Sequence, residues 1–119
     1  CGAMHAMAHA IGGRHELNLP HGTLNAVLMP VVLAHNRPHC PALFARLEKA
    51  LDLPAGRDVI AVVRELNRDL DMPRGLGAMG VTQDMIPALA QAALRDANAL
   101  TNPVLLDTAT FERLFRQAM

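Results

Sequence analysis

Histidines are concentrated near the start of the chain, where five of the six lie within the first 36 residues. His5 and His9 are four residues apart, a spacing that puts two imidazoles on one face of a helix, one turn from each other. Gly12 and Gly13 then interrupt this helix, and His21 arrives where the next helix is predicted to start. Two facing imidazoles and a third that returns after a turn are suited to part of a divalent metal site.

The candidate ligand set is incomplete on this chain. A divalent transition metal needs about four ligands, and the residues offer His5 and His21, with His9 as a third candidate. Glu16 is the acidic residue in this stretch, but it belongs to a polar loop. The chain also lacks an initiator Met, and Cys1 already falls within a predicted helix. We therefore expect the sequence to be a piece of a longer polypeptide.

Composition favours a small, closely packed helical domain. The 119 residues are enough for one modest core. Hydrophobic residues make up 51% of the chain and aromatic residues only 3%, with no Trp or Tyr. Alanine, leucine, valine and methionine must then fill the core, which favours helices over a sheet. The formal net charge of zero removes any electrostatic basis for binding nucleic acid or an anionic membrane.

The cysteines and the longest apolar runs point to a cytoplasmic setting. One pair, Cys1 and Cys40, with no secretory context predicts two reduced thiols. No apolar run reaches the roughly 18 residues of a membrane span, and the first residues lack the basic segment of a signal peptide. We expect no membrane partner.

Apolar periodicity predicts an all-α fold of five or six helices with no internal repeat. Pro30 should kink or break the second helix, Thr82 should cap the fifth, and the segments 74–81 and 96–106 are predicted loops. The predicted helices, with their apolar faces, are 1–11 (Met4, Met7, Ala8, Ile11), 22–34 (Leu24, Val27, Leu28, Val31, Val32), a third from Pro41 (Leu43, Phe44, Leu47, Leu51), 58–70 (Val59, Val62, Val63, Leu66, Leu70), a fifth after Thr82 (Ile86, Leu89, Ala90, Ala93, Leu94) and a last one capped by Asp107 or Thr108 (Phe111, Leu114, Phe115, Ala118).

Several short motifs together resemble the iron-containing (group III) alcohol dehydrogenases. Their second signature is similar to His5-Ala6-Met7-Ala8-His9-Ala10-Ile11-Gly12-Gly13, followed by Pro20-His21-Gly22, by Asn25 to Pro30 and by Asn36. The later part of the chain, Asp84 to Pro87, Asp96 and Thr101-Asn102-Pro103, resembles the way these proteins end. The resemblance covers the whole chain. This chain differs from many of these proteins in two places: the loop from Arg14 to Pro20 is longer, and Val31 occupies a position where many have a histidine.

The resemblance implies a two-domain protein with a dehydroquinate synthase-like fold. Residues 1–119 would be the helical, bundle-like C-terminal domain, and an N-terminal dinucleotide-binding domain would lie outside this chain. The implied activity is hydride transfer between a primary alcohol or aldehyde and NAD or NADP, with Fe²⁺ or Zn²⁺ as the metal. The protein would form homo-oligomers.

Site residues carry over from the family motif by position. His5 and His21 match two metal ligands, and the family's other two ligands, an Asp and a His, would lie upstream. His9 matches the histidine that faces the nicotinamide and substrate and takes part in proton movement. Asn98 matches a residue of the substrate pocket.

Two other functions remain open at this point. A metal-independent reductase of the maleylacetate type would keep the fold and change the chemistry. A non-catalytic helical fragment would merely retain the histidines.

Overall fold

The computed structural model describes residues 2–119, which contain α-helices, 3₁₀ turns and loops but no β-strand. This confirms the predicted all-α fold. The start of the first helix was predicted at Cys1, which lies outside the described residues. The helices are α1 (Ala3–Gly12), α2 (His21–Asn36), α3 (Pro41–Ala50), α4 (Val59–Asp69), α5 (Ile86–Arg95) and α6 (Thr108–Gln117), with 3₁₀ turns at Arg37–His39, Leu76–Met79, Gln83–Met85 and Ala97–Thr101.

The first helix lies at the centre of the domain. It packs against both α2 and α5, and Ala3, Ala6 and Ala8 are fully buried. On α5 the fully buried residues include Ala90 and Ala93. Small side chains let neighbouring helices approach closely and leave few voids. The helix that carries His5 and His9 is therefore held firmly on most of its surface.

The last helix supplies the largest side chains of the core. Its predicted face of Phe111, Leu114, Phe115 and Ala118 is buried as expected. Asp107 caps it, because its side chain accepts a hydrogen bond from the Thr110 backbone N–H at 2.7 Å. Alanine, leucine, valine and methionine make up much of the core, and Phe111 and Phe115 are the largest of its fully buried side chains. Few aromatics are present, but each is used internally.

The sequence predicted a kink or a break of the second helix at Pro30, and the helix continues through this residue without a break. A proline has no N–H, so the carbonyl of Ala26, four residues earlier, lacks its intrahelical partner. The side chain of Asn67 on α4 donates a hydrogen bond to that carbonyl at 2.7 Å. A side chain from a neighbouring helix thus replaces the missing backbone donor and fastens α4 to α2.

The predicted end of α1 agrees with the structure, whereas the predicted start of the fifth helix does not. The pair Gly12-Gly13 was expected to end α1, and the helix ends at Gly12 with Gly13 as its C-cap, in a right-handed conformation with a φ of −69°. Thr82 was expected to cap the fifth helix, yet it precedes the 3₁₀ turn Gln83–Met85 and makes no capping hydrogen bond through its side chain. The α-helix begins later, at Ile86, and Pro87 lies in its first turn as predicted. The predicted loops 74–81 and 96–106 also contain short 3₁₀ turns.

The apolar faces of α3 and α4 are less buried than predicted. Phe44, Val59 and Ile60 form a small second cluster, and Arg37 reaches over it to pair with Glu48 at 2.8 Å and Asp58 at 2.6 Å. Apart from this cluster, α4 packs on α2, and the outward faces of α3 and α4 stay open to solvent. The leucines predicted to be buried on α3 and α4 or at their ends are therefore 41–57% exposed: Leu43, Leu47, Leu51, Leu66 and Leu70. On α5, Leu94 was also predicted to be buried and is 40% exposed.

None of the helices within residues 2–119 is both long and apolar enough to cross a membrane.

Replacing Asn67 with Ala should lower the free energy of unfolding by about 1–3 kcal/mol, because the Ala26 carbonyl would lose the side-chain donor that replaces the missing N–H of Pro30. In a Pro30→Ala background the same substitution should cost less, because residue 30 then has an N–H that can reach Ala26. Urea unfolding of the intact protein in all four combinations measures the difference. An equal cost in both backgrounds would contradict this account of how the helix tolerates Pro30.

Candidate metal and proton-transfer site

Three imidazoles from two helices meet at one end of the domain. His5 and His9 lie one turn apart on α1, and His21 is the first residue of α2. The ring centroids are 5.2 Å apart for His5 and His21, 5.4 Å for His9 and His21, and 5.7 Å for His5 and His9. The residues predicted to act together thus lie together. The long loop from Arg14 to Pro20 does not move His21 away from them.

The spacing of His5 and His21 fits joint ligation of one cation. Two imidazoles bound to a tetrahedral ion through nitrogens at about 2.0–2.1 Å have ring centroids about 5 Å apart. The Nδ1 atom of His5 is also buried and has no hydrogen-bond partner within residues 2–119. In this same part of the chain, no group of three or more His, Cys, Asp or Glu side chains is arranged to hold a metal ion. The described residues therefore provide part of a ligand set rather than a closed site.

The electrostatic surroundings keep His5 in the form that binds metals. Burial lowers the pKa of His5, and the charges of His21 and His9 lower it further, while Asp96 acts in the opposite direction. A neutral imidazole offers a nitrogen lone pair, which the protonated form lacks. His5 is therefore ready to ligate at neutral pH.

His9 differs from the other two imidazoles because a carboxylate holds one of its nitrogens. His9 Nδ1 lies 2.9 Å from Oδ2 of Asp96, the residue that follows α5. The other oxygen, Oδ1, accepts hydrogen bonds from both the backbone and the side-chain nitrogen of Asn98, each at 2.8 Å. Burial alone would raise the pKa of Asp96, but these hydrogen bonds from Asn98 and His9 bring it below its ordinary value. Asp96 is thus an ionised acceptor.

The segment that follows Asp96 also holds the opposite end of α1. Thr101 accepts a hydrogen bond from the Gly2 N–H at 3.1 Å, and Asn102 accepts one from the Ala3 N–H at 3.2 Å. These are donors of the first helical turn, which have no partner inside the helix. One short segment therefore fixes α1 near its start and at His9.

An open groove of about 560 Å³ lies beside His9. Asp96, Arg14 and Arg95 line it together with small residues of α1 and α5. Asn98 does not line this groove, and its side chain is directed to Asp96 instead. The role of Asn98 in a substrate pocket remains a prediction.

Comparison with known proteins identifies the family. The family model described as Fe-containing alcohol dehydrogenase family, C-terminal, matches residues 1–119. The chain belongs to the iron-containing alcohol dehydrogenase family. Among curated relatives, 4-hydroxybutyrate dehydrogenase of Cupriavidus necator is 38% identical over 126 aligned positions, which cover 99% of this chain and 33% of that protein. The chain therefore spans about a third of the length of the relatives it matches.

Solved structures agree with this assignment. A structure of 1,3-propanediol oxidoreductase is 34% identical, with a TM-score of 0.90, and the match covers 99% of this chain and 32% of that one. Maleylacetate reductase from Agrobacterium tumefaciens is 26% identical, with a TM-score of 0.79, over 99% of this chain and 31% of that one. Both matches share the helical fold of this C-terminal domain.

Sequence reasoning for this family member missed Asp96 as a partner of His9. The residue lies 87 positions from His9, and helical spacing says nothing about contacts between distant elements. A local signal was nevertheless present: an aspartate two residues before an asparagine, just after a helix, is typical of a turn in which the carboxylate accepts a backbone N–H. That pattern predicts the turn and not the histidine on its other side.

The remaining histidines and Cys40 lie apart from the cluster. His15 is exposed in the loop after α1. His35 and His39 form a separate pair at the far end of α2, with ring centroids 6.2 Å apart. Cys40 is a free thiol whose Sγ donates to the Asn36 carbonyl at 3.1 Å. Because Cys1 lies outside the described residues, the expectation of two reduced thiols stays a prediction.

The His35 imidazole should make the stability of the domain sensitive to mild acid. Burial lowers the pKa of His35, and the charges of Arg113 and His39 lower it further. Below the ordinary histidine pKa of about 6.5, the unfolded chain therefore takes up a proton that the folded chain resists, so stability falls as pH falls. A His35→Gln variant should lose less stability than the wild type between pH 7.5 and pH 5.5.

Urea unfolding midpoints of the two proteins across this range measure the effect. Arg113→Gln should weaken the same pH dependence, because it removes a cation near the ring. If the difference in stability between the wild type and His35→Gln is constant with pH, His35 is not the source of the acid sensitivity.

Proposed function

We propose that this chain is the C-terminal helical part of a metal-dependent alcohol dehydrogenase that transfers hydride between a primary alcohol or aldehyde and NAD or NADP. The observation that carries the proposal is the convergence of His5, His9 and His21 from two helices in a member of the iron-containing family. One of these imidazoles is held by a carboxylate and the other two are not, which supports separate roles.

His5 and His21 would hold the metal, Fe²⁺ or Zn²⁺. Their centroid distance of 5.2 Å and the burial that lowers the pKa of His5 support this assignment. The rest of the ligand set, an Asp and a His in the family pattern, would come from the preceding part of the protein. When bound, such a cation supplies Lewis-acid polarisation of the substrate oxygen.

His9 would face the nicotinamide and the substrate and move the proton of the alcohol. Its Nδ1 is engaged by Asp96, so Nε2 is the nitrogen left to exchange a proton. The side chain of His9 is 46% exposed and borders the open groove, which gives the proton a path to solvent. Proton transfer by a positioned imidazole contributes roughly 10²–10⁴-fold to a rate.

The nucleotide would be bound mainly outside this chain. Residues 2–119 contain no strand followed by a glycine-rich turn, which is the usual site for a dinucleotide pyrophosphate. An N-terminal dinucleotide-binding domain, in the two thirds of the relatives' length that this chain does not cover, would supply it. Small alcohols or aldehydes would be the substrates of the whole protein, which we propose to act as a homo-oligomer.

The alternative of a maleylacetate-type reductase has less support. The structure of that type is less similar, in sequence identity and in TM-score, than 1,3-propanediol oxidoreductase. No observation within residues 2–119 favours a non-catalytic fragment.

The proposal is tested on the intact protein loaded with iron or zinc. It should reduce NAD or NADP when primary alcohols are added, and strong chelation should abolish this activity. A metal-loaded protein that is inert toward a broad panel of alcohols and aldehydes would contradict the proposal. Activity that survives chelation would favour the metal-independent reductase.

Substitutions in the cluster should separate binding of the metal from proton movement. In the intact protein, His5→Ala and His21→Ala should each sharply reduce metal content, because each removes one of about four ligands. His9→Ala should retain the metal and lower kcat. Metal analysis by mass spectrometry and steady-state kinetics measure both properties. Equal loss of metal in all three variants would mean that His9 is a ligand.

A further inference from the structure

Asp96 is buried in the fold far more than the histidine it contacts. Its side chain is 19% exposed, whereas that of His9 is 46% exposed. The backbone and side-chain nitrogens of Asn98 fix one carboxylate oxygen, at 2.8 Å each. The remaining oxygen is directed to His9 Nδ1 at 2.9 Å. An acceptor held in this way can fix the position of the more exposed imidazole.

The chemistry of the pair also decides which nitrogen of His9 carries the proton. An ionised carboxylate only accepts hydrogen bonds. His9 must therefore donate through Nδ1–H, which leaves the lone pair of the neutral ring on Nε2. An imidazole without this partner can rotate, and it can place its proton on either nitrogen.

We propose that Asp96 is a positioning residue for the reaction: it holds His9 in the Nδ1–H tautomer and in the orientation that leaves Nε2 available for proton transfer. The expected effect of Asp96 on the reaction rate rests on the proposed function. Its expected effect on the tautomer of His9 does not. Asn98, through Asp96, supports the same arrangement.

A carboxylate behind a histidine is also the usual support of a metal ligand, so the proposal must separate the two roles. If Asp96 supported a ligand, its loss would release the metal. If it positions a proton-transfer group, the metal should remain and turnover should fall.

The test uses Asp96→Asn in the intact protein. Asparagine is as good a cap as aspartate, so the turn with Asn98 is retained. The carboxylate oxygen that accepts from His9 Nδ1 is replaced by an amide nitrogen. We expect kcat to fall about 100-fold, KM for the alcohol to change little and the metal content to stay unchanged. Asp107→Asn is the matched control, because Asp107 also caps a helix through a backbone N–H but contacts no histidine; its kcat should stay within about twofold of wild type.

A double-mutant cycle shows whether Asp96 acts through His9. In a His9→Gln background, adding Asp96→Asn should change kcat less than about twofold. A purely structural residue would lower kcat by the same factor in both backgrounds, and that result would overturn the proposal. Loss of metal in Asp96→Asn would also overturn it.

The tautomer itself gives a readout that needs no activity. Nitrogen NMR of the metal-free intact protein with labelled histidine, assigned with the His9→Gln variant, should show His9 protonated at Nδ1 in the wild type and shifted toward Nε2 in Asp96→Asn. If the wild type fails to oxidise any alcohol, the proposed function fails, and this measurement still decides the role of Asp96. An unchanged His9 tautomer in Asp96→Asn would refute the positioning role.

Discussion

The site depends on how α1 and α2 are registered against each other, and one pair of side-chain amides fixes this register. Asn36, at the end of α2, and Asn102 exchange two reciprocal hydrogen bonds of 3.0 Å each. Asn102 also accepts the Ala3 N–H and donates to the Val104 carbonyl at 2.9 Å. Asn36 is buried, with 8% exposure, so both amides need these partners. A slip of either helix would break several hydrogen bonds at once.

This constraint acts at the opposite end of α2 from the imidazole cluster. Asn36 is the last residue of α2 and His21 the first, about 22 Å apart at 1.5 Å per helical residue. A rigid helix transmits the register over that distance only if it is continuous. The hydrogen bond from Asn67 to the Ala26 carbonyl lets α2 accommodate Pro30 without a break, and so the amide pair at one end helps to position His21 at the other.

Much of the fold could be predicted from local pattern, and the exceptions have a common cause. The burial of Phe111, Leu114 and Phe115 could be predicted from helical periodicity. The role of Asp107 as the N-cap of α6 could be predicted from the residue types that cap helices. The continuity of α2 through Pro30 could not be predicted, because the compensating donor, Asn67, is 41 residues from Ala26. The leucines of α3 and α4 follow a periodic pattern that indicates an apolar face, but a pattern does not say whether another element covers it.

The same limit applies to the site: the grouping of His5, His9 and His21 follows from spacing and a short loop, whereas the contact of Asp96 with His9 depends on tertiary structure.

The three imidazoles are alike in spacing and unlike in surroundings, and surroundings decide what each can do. His5 is kept neutral by burial, which suits a ligand. The carboxylate at Nδ1 of His9 directs its free lone pair to Nε2, and its exposure gives access to solvent, which suits proton transfer. Because His9 is on the same helix face as His5 and stacks against His21 at 5.4 Å, the proposed proton-transfer group lies beside the proposed cation position. The one-turn spacing on α1 thus places the two functions that we propose, metal ligation and proton transfer, next to each other on a single helix. One segment, 96–102, holds both ends of that helix.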